Sequence, residues 1–264
     1  MLRRVLCAVG VSSLLIAAPL SAAGAADMNM PLKAPLAAPP LTYAWTGCYL
    51  GGGAGYGTYT ADATEVDTAT GAFVVSEGTG GGRGWLGRGQ AGCDYQFALG
   101  NLGNFVIGAF GDYDGMDIHA DHVGSPGTTG IGDLKESWAW SVGGRFGYLI
   151  TPNLLAYESG GYTQTRFDQA NYVNFATLLP NGESLAAQTY NGWFLGSGFE
   201  YAITFLPIRG LFLKTEYRYS QYDTLTVPNL VTATGALVGT SETIHPYVQT
   251  VTTELVFRFN WPGH

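Results

Sequence analysis

Charge is scarce in this chain. Of its 264 residues 12% are charged, with 12 Lys or Arg against 20 Asp or Glu. A formal net charge of −8 gives no basic footprint, which excludes nucleic-acid binding. Few charges together with 13% aromatic residues exclude a disordered chain, because disorder needs many charges and few aromatics. Beyond the first 20 residues no apolar run approaches the ~20 residues of a membrane-spanning helix. The 39 glycines exclude a helical enzyme core, since each costs a helix ~1 kcal/mol. What is left is a β protein rich in glycine and aromatics.

The beginning of the chain reads as a secretory signal peptide over residues 1–25. Arg3 and Arg4 give the positive start, Val5 to Leu20 the apolar stretch, and Ala23-Gly24-Ala25 the small-residue cleavage motif. Cleavage removes both arginines and Cys7, leaving Cys48 and Cys93 in an oxidising compartment. An even count there favours one disulfide. Residues 26–44 hold Pro31, Pro35, Pro39 and Pro40 among alanines and read as an extended periplasmic linker. The ordered domain is expected over 45–264.

Period-2 alternation follows in eight stretches, roughly 46–60, 84–98, 104–114, 136–150, 154–167, 192–204, 210–222 and 249–261. Short turns join them in pairs near 99–103, 151–153 and Pro207. Long polar segments (61–82, 115–135, 168–190 and 223–247) separate the rest. Short turns alternating with long loops are the layout of an outer-membrane barrel. The expected fold class is therefore all-β, an eight-stranded antiparallel transmembrane β-barrel.

The two faces of the strands carry different chemistry. Trp138, Trp140, Val142, Phe146, Tyr148 and Ile150 share one face of the fourth stretch, and Val251, Leu255, Phe257, Phe259 and Trp261 one face of the last. The other face holds glycines beside full charges. Counted inward are Asp94, Asp112, Glu158, Glu200, Glu216 and Glu254 against Arg88, Arg145, Arg166, Lys214, Arg218 and Arg258. A soluble sandwich would turn its polar face outward. Here the charges are expected to form a lumenal ion-pair network, since an Arg or Lys facing lipid costs ~2–4 kcal/mol at the midplane. The long loops are acidic, with Lys135 as their one base.

Several motifs invite a chemical reading and lose it to a plainer one. Gly53-Ala54-Gly55-Tyr56-Gly57 lies inside a strand, whereas a phosphate loop needs a strand before it and a helix after it. Asp112-Tyr113-Asp114-Gly115-Met116-Asp117 with His119, Asp121 and His122 could offer ligands to calcium or zinc. It lacks the closing glutamate of an EF-hand and reads as an acidic, solvated loop. Ser241, Glu242 and His245 are the best candidates for a hydrolytic triad, with no nucleophile elbow to support them. No enzyme, metal or cofactor is expected.

Trp45-Thr46-Gly47-Cys48-Tyr49-Leu50-Gly51-Gly52 after an Ala/Pro linker resembles the opening of the small outer-membrane immunogenic proteins of the porin-like β-barrel family. Gly89-Gln90-Ala91-Gly92-Cys93-Asp94-Tyr95-Gln96, Gly144-Arg145-Phe146-Gly147-Tyr148, Gly198-Phe199-Glu200-Tyr201, Lys214-Thr215-Glu216-Tyr217-Arg218-Tyr219 and Phe257-Arg258-Phe259-Asn260-Trp261 continue the resemblance to the last strand. It implies an OmpA-like barrel in the outer membrane of a Gram-negative cell, exposed to the outside and immunogenic, without a shared catalytic site. Two departures stand out. Phe110 occupies a position where the family usually has a carboxylate, and the chain runs past Phe259 to Pro262-Gly263-His264.

The function expected is a structural, surface-exposed envelope protein whose lumen is closed by ion pairs. A passive porin for small solutes is the alternative, and a secreted sandwich adhesin ranks third. Partners would be outer-membrane lipid and lipopolysaccharide, the barrel-insertion machinery, and external ligands of the acidic loops. Two pairings follow from parity. Cys48 and Cys93 share the lipid-facing side of the first two strands, so a bond between them would centre their hairpin on residues 70–71. Arg145 and Glu158 lie equidistant from the 151–152 turn and are expected to meet as an ion pair.

Overall fold

The computed structural model describes residues 43–124, 130–174, 176–206 and 208–259. The expected signal, nearly all of the linker, Pro207, Trp261 and His264 lie outside the described residues. Eleven strands make up almost everything described: β1 (Gly47–Asp67), β2 (Phe73–Ala98), β3 (Asn104–Gly124), β4 (Gly130–Thr151), β5 (Leu154–Phe167), β6 (Ala170–Asn174), β7 (Pro180–Leu185), β8 (Gln188–Ala202), β9 (Leu211–Tyr222), β10 (Leu225–Val231) and β11 (Leu237–Phe259). A single 3-10 turn over Gly100–Leu102 links β2 to β3.

All strand pairs are antiparallel and belong to one sheet. Pairing runs from β1 through β2, β3, β4, β5, β8 and β9 to β11, and β11 then pairs with β1 from Cys48↔Phe259 to Asp67↔Thr240. The first strand therefore has no free edge. At the end of the sheet remote from Gly47 and Phe259, here called distal, the ladder branches. Residues 130–132 of β4 leave β5 and pair with β6. Residues 237–244 of β11 pair with β10 instead of β9. The short β7 joins β6 to β10.

This corrects the expected fold: eleven strands form a branched sheet, in place of eight. The error lay in reading the polar segments 61–82, 115–135, 168–190 and 223–247 as loops. Polarity does not end a strand whose neighbours continue its ladder. In β1 the alternation passes straight through the expected boundary, burying Tyr59, Ala61, Ala63 and Glu65 while Thr60 and Asp62 turn outward.

Side chains divide cleanly between the two faces. Leu50, Trp85, Tyr95, Ile107, Tyr113, Phe146, Leu195, Phe199, Val251, Leu255 and Phe259 are exposed on the outside. Inside are two apolar clusters. One, at the terminal end, includes Trp45, Tyr49, Phe110, Tyr157, Phe194 and Phe212. The distal one includes Tyr59, Ile118, Leu134, Phe167, Tyr172, Tyr190, Tyr222 and Ile244. Buried charge lies among them. Glycine makes room for it at Gly108, where an added Cβ would collide with Asp94 Oδ1.

Candidate functional site

The interior ion pairs sit on inward positions of β2, β3, β4, β8, β9 and β11, where alternation places one residue in two. Near the terminal end four charges form a closed set. Arg258 Nη1 donates to Asp94 Oδ2 at 2.6 Å, and its Nε and Nη2 donate to Glu200 Oε1 at 2.8 and 2.7 Å. Arg145 Nε reaches Asp94 Oδ1 at 2.9 Å and its Nη1 reaches Glu200 Oε2 at 2.9 Å, with Nη2 also on Asp94 Oδ2. Aromatic faces cover both guanidinium groups. Tyr49 lies 4.6 Å from Arg145 and 4.9 Å from Arg258, and Trp45 lies 4.8 Å from Arg258. Such stacking is favoured where water is excluded.

A second set lies farther toward the distal end. Arg88 binds Asp114 through two parallel N–H···O bonds of 2.7 Å, and Arg218 binds Asp112 in the same fashion at 3.0 and 2.8 Å. Glu216 joins them, accepting from Arg88 at 3.3 Å, from Arg218 at 2.9 Å and from the Tyr157 hydroxyl at 2.9 Å. Lys214 Nζ donates to Gln90 Oε1 at 2.8 Å and to Glu254 at 3.3 Å. Five cations thus meet six carboxylates in a buried interior. A buried pair of this kind needs every lone pair engaged to repay desolvation, and forked arginine contacts do much of that.

Ten of the twelve charges read as inward from sequence lie in these sets. Glu158 and Arg166 do not. Glu158 is exposed and accepts from Ser197 Oγ at 2.8 Å, while Arg166 is half-buried, 3.8 Å from Asp168. The expected Arg145–Glu158 pair is therefore absent: Arg145 stands opposite Ser159, and Glu158 opposite Phe146. An irregularity between Leu149 and Thr151 shifts the hairpin by one residue, which turns every side chain of β5 to the other face. Tyr157, Ser159, Thr163 and Thr165 point inward instead.

Sequence reasoning missed Asp114, which was placed among the loop ligands. It is two residues from Asp112 on one strand, so extending the parity count by one step would have found it. Tyr49, Tyr157 and Gln90 were also missed, having no charge to flag them. Phe110, where the resemblance implies a carboxylate, is buried with its ring 5.8 Å from both Lys214 Nζ and the Arg218 guanidinium.

The other candidates disperse. Asp112 and Asp114 point inward, while Asp117 pairs with Lys135 at 2.6 Å and His119 lies 3.6 Å from Asp133. The side chains of Asp121 and His122 lie outside the described residues. Among the described residues no three His, Cys, Asp or Glu gather to hold a metal ion. Ser241 bonds to Thr68, Glu242 accepts from Tyr172, and His245 meets Gln221 and Tyr247, so no triad forms. Cys48 and Cys93 face each other across β1 and β2 and are joined by a disulfide.

Beyond the outer aromatic residue Trp138 the buried charge is acidic. Glu136 is fully buried, accepts from Thr165 Oγ1 at 2.6 Å, and has its pKa pushed up to about 8 by burial. Burial also raises Glu242, and the Tyr172 hydroxyl at 2.7 Å offsets part of that rise.

The chain also has relatives among known proteins. The chain is 32% identical over 197 residues to the 31 kDa outer-membrane immunogenic protein of Brucella melitensis biotype 1, covering 71% of this chain and 75% of that protein. The protein of the same name from Brucella suis biovar 1 matches equally. The crystal structure of OprG from Pseudomonas aeruginosa covers 81% of this chain and 97% of its own, at 14% identity and a TM-score of 0.44, a likeness too slight to carry an argument. The names of the two Brucella relatives denote outer-membrane proteins and no enzyme, in keeping with a non-catalytic chain. The model of the outer membrane protein beta-barrel domain matches residues 13–259, and the chain belongs to that outer-membrane family.

Proposed function

We propose that this protein spans the outer membrane as a closed, branched sheet plugged by its own ion pairs, and that it serves as a surface-exposed, immunogenic envelope component. The observation that carries this reading is the interior set of five cations and six carboxylates, each 6% exposed or less. The outward face supports it too. Tyr56–Trp85, Trp140–Tyr162 and Trp193–Tyr219 make one aromatic belt, with ring separations of 5.2, 5.4 and 6.0 Å. Phe105–Tyr148 and Phe257–Phe259 make a second at the terminal end, at 5.2 and 5.0 Å. Two such girdles around an apolar band suit a membrane with lipid and lipopolysaccharide at its two surfaces.

In this reading residues 1–25 are cleaved on export and 26–44 remain in the periplasm. Insertion machinery receives the aromatic last strand, and the distal strands stand outside the cell. Water cannot cross without displacing the ion pairs. Folded protein reconstituted in liposomes should give no swelling with small sugars, and the unboiled protein should migrate differently from the boiled one on an SDS gel. Rapid sugar uptake would transfer the proposal to a passive channel, and recovery in the soluble periplasmic fraction would remove it.

A further inference from the structure

Glu158 on β5 turns outward between the two aromatic belts. It lies two residues beyond Ala156, which faces Tyr148 of the terminal belt, and four before Tyr162 of the other. At a strand rise of ~3.3 Å per residue, it stands ~7 Å along β5 from the terminal belt and ~13 Å from the outer one. Phe146 opposite it, and Ile107 and Leu195 nearby, are apolar and more than half exposed. An ionisable side chain on an apolar membrane wall marks a functional contact, and its partner must be found.

The chain itself offers Glu158 little. Its carboxylate accepts from Ser197 Oγ at 2.8 Å, a neutral donor, and it enters no salt bridge among the described residues. The described Lys and Arg all lie elsewhere. Arg88, Arg145, Lys214, Arg218 and Arg258 are inside the sheet. Arg83, Lys135 and Arg166 lie distal to the outer belt, and Arg209 lies in the turn between β8 and β9. A second copy inserted in the same direction brings the same residues to the same depth, so it has no cation for Glu158 either.

The wall beside Glu158 is hollow. Gly144 and Gly160, directly opposed on β4 and β5, lie one outward position distal to Phe146 and Glu158. They line a groove together with Ile107, Phe146, Leu195 and Glu158. A Cβ added at Gly144 would meet nothing closer than the Gly108 carbonyl oxygen at 3.5 Å, so this floor is open. The carboxylate thus sits on the side of the terminal belt and the groove on the side of the midplane. A phospholipid has the same polarity, head toward the surface and chain toward the middle.

We propose that Glu158 and Ser197 bind the primary ammonium of an ethanolamine phospholipid in the leaflet at the terminal end, with an acyl chain laid over Gly144 and Gly160. The ammonium has three N–H donors, which the two Glu158 oxygens and the Ser197 hydroxyl can accept, and the bonds to the carboxylate are charge-assisted. A choline head has no N–H to give. This site rests on the membrane-spanning reading above.

The test titrates the whole folded chain in detergent with ethanolamine and choline phospholipids of identical acyl chains, read by native mass spectrometry. Wild type should bind one ethanolamine phospholipid roughly tenfold more tightly than the choline one, as a charge-assisted contact implies. Glu158→Gln should bind both at the choline level. Gly144→Leu fills the groove and should weaken both while keeping the preference. Equal affinity of wild type for the two lipids would overturn the proposal, and so would an undiminished preference in Glu158→Gln. A dimer crosslinked in vesicles and lost in Glu158→Gln would also overturn it, giving this wall to a second copy. A chain that stays in the membrane fraction and shifts on boiling, yet shows no ethanolamine preference, fails here and leaves the membrane reading standing. Recovery in the soluble periplasmic fraction removes both.

Discussion

Arg88 and Asp114 meet through two parallel hydrogen bonds of 2.7 Å, side chain to side chain, inside the sheet. Their strands are adjacent and the two residues are directly opposed. Asp114→Ala should leave a buried guanidinium with part of its shell missing, a loss of ~3–5 kcal/mol. The remaining contact to Glu216 is longer, at 3.3 Å, and should recover little of that. Urea unfolding in detergent measures the loss, and a change below 1 kcal/mol would mean that water reaches the pair.

Glu158 supplies the contrasting case. It faces outward opposite Phe146, so Glu158→Ala should shift stability by ~0.5 kcal/mol or less. Arg145→Ala should cost several times more, since Asp94 and Glu200 both lose a partner. The effects should add in the double variant. A coupling energy above ~0.5 kcal/mol would contradict the register of this hairpin.

The Cys48–Cys93 bond closes a 45-residue separation between β1 and β2. Replacing both cysteines by serine should destabilise the chain by ~2–4 kcal/mol. The fold should survive, because the β1–β2 ladder continues past the bond for most of both strands. Thiol labelling of unreduced, unfolded protein should find no free group among the two.

Glu136 makes stability fall as pH rises. Its folded pKa of about 8 is above the usual 4.5, so the folded chain keeps a proton that the unfolded chain releases. Stability is then highest below pH 4.5 with respect to this group, declines between 4.5 and about 8, and is level above that. Glu136→Gln should flatten the decline without changing stability near pH 4. A variant with the wild-type slope would assign the decline to another acid.

Much of the site was legible because alternation is a local property. On β4, β8, β9 and β11 the parity of Arg145, Glu200, Lys214, Glu216, Arg218, Glu254 and Arg258 can be read from the residues beside them. The aromatic residues on one face and glycines on the other leave a single choice of side. β5 gave no such guidance. Tyr157 and Tyr162 lie on opposite faces, with Gly160 and Gly161 between, so the turn had to set its parity. That turn is irregular.

Alternation in the residues alone was enough for the all-β class, the apolar outward face and the inward side of most strand charges, because the side a strand residue takes is set by its immediate neighbours. It could not determine the number of strands. Whether Leu225–Val231 or Pro180–Leu185 is a loop or a strand depends on a partner far away in the chain, and β10 and β7 exist because β11 and β6 offer them free edges. Which guanidinium grips which carboxylate was also decided by the tertiary structure. Asp94, Glu200, Arg145 and Arg258 come from four strands, and only closure of the sheet brings them within 3 Å of one another.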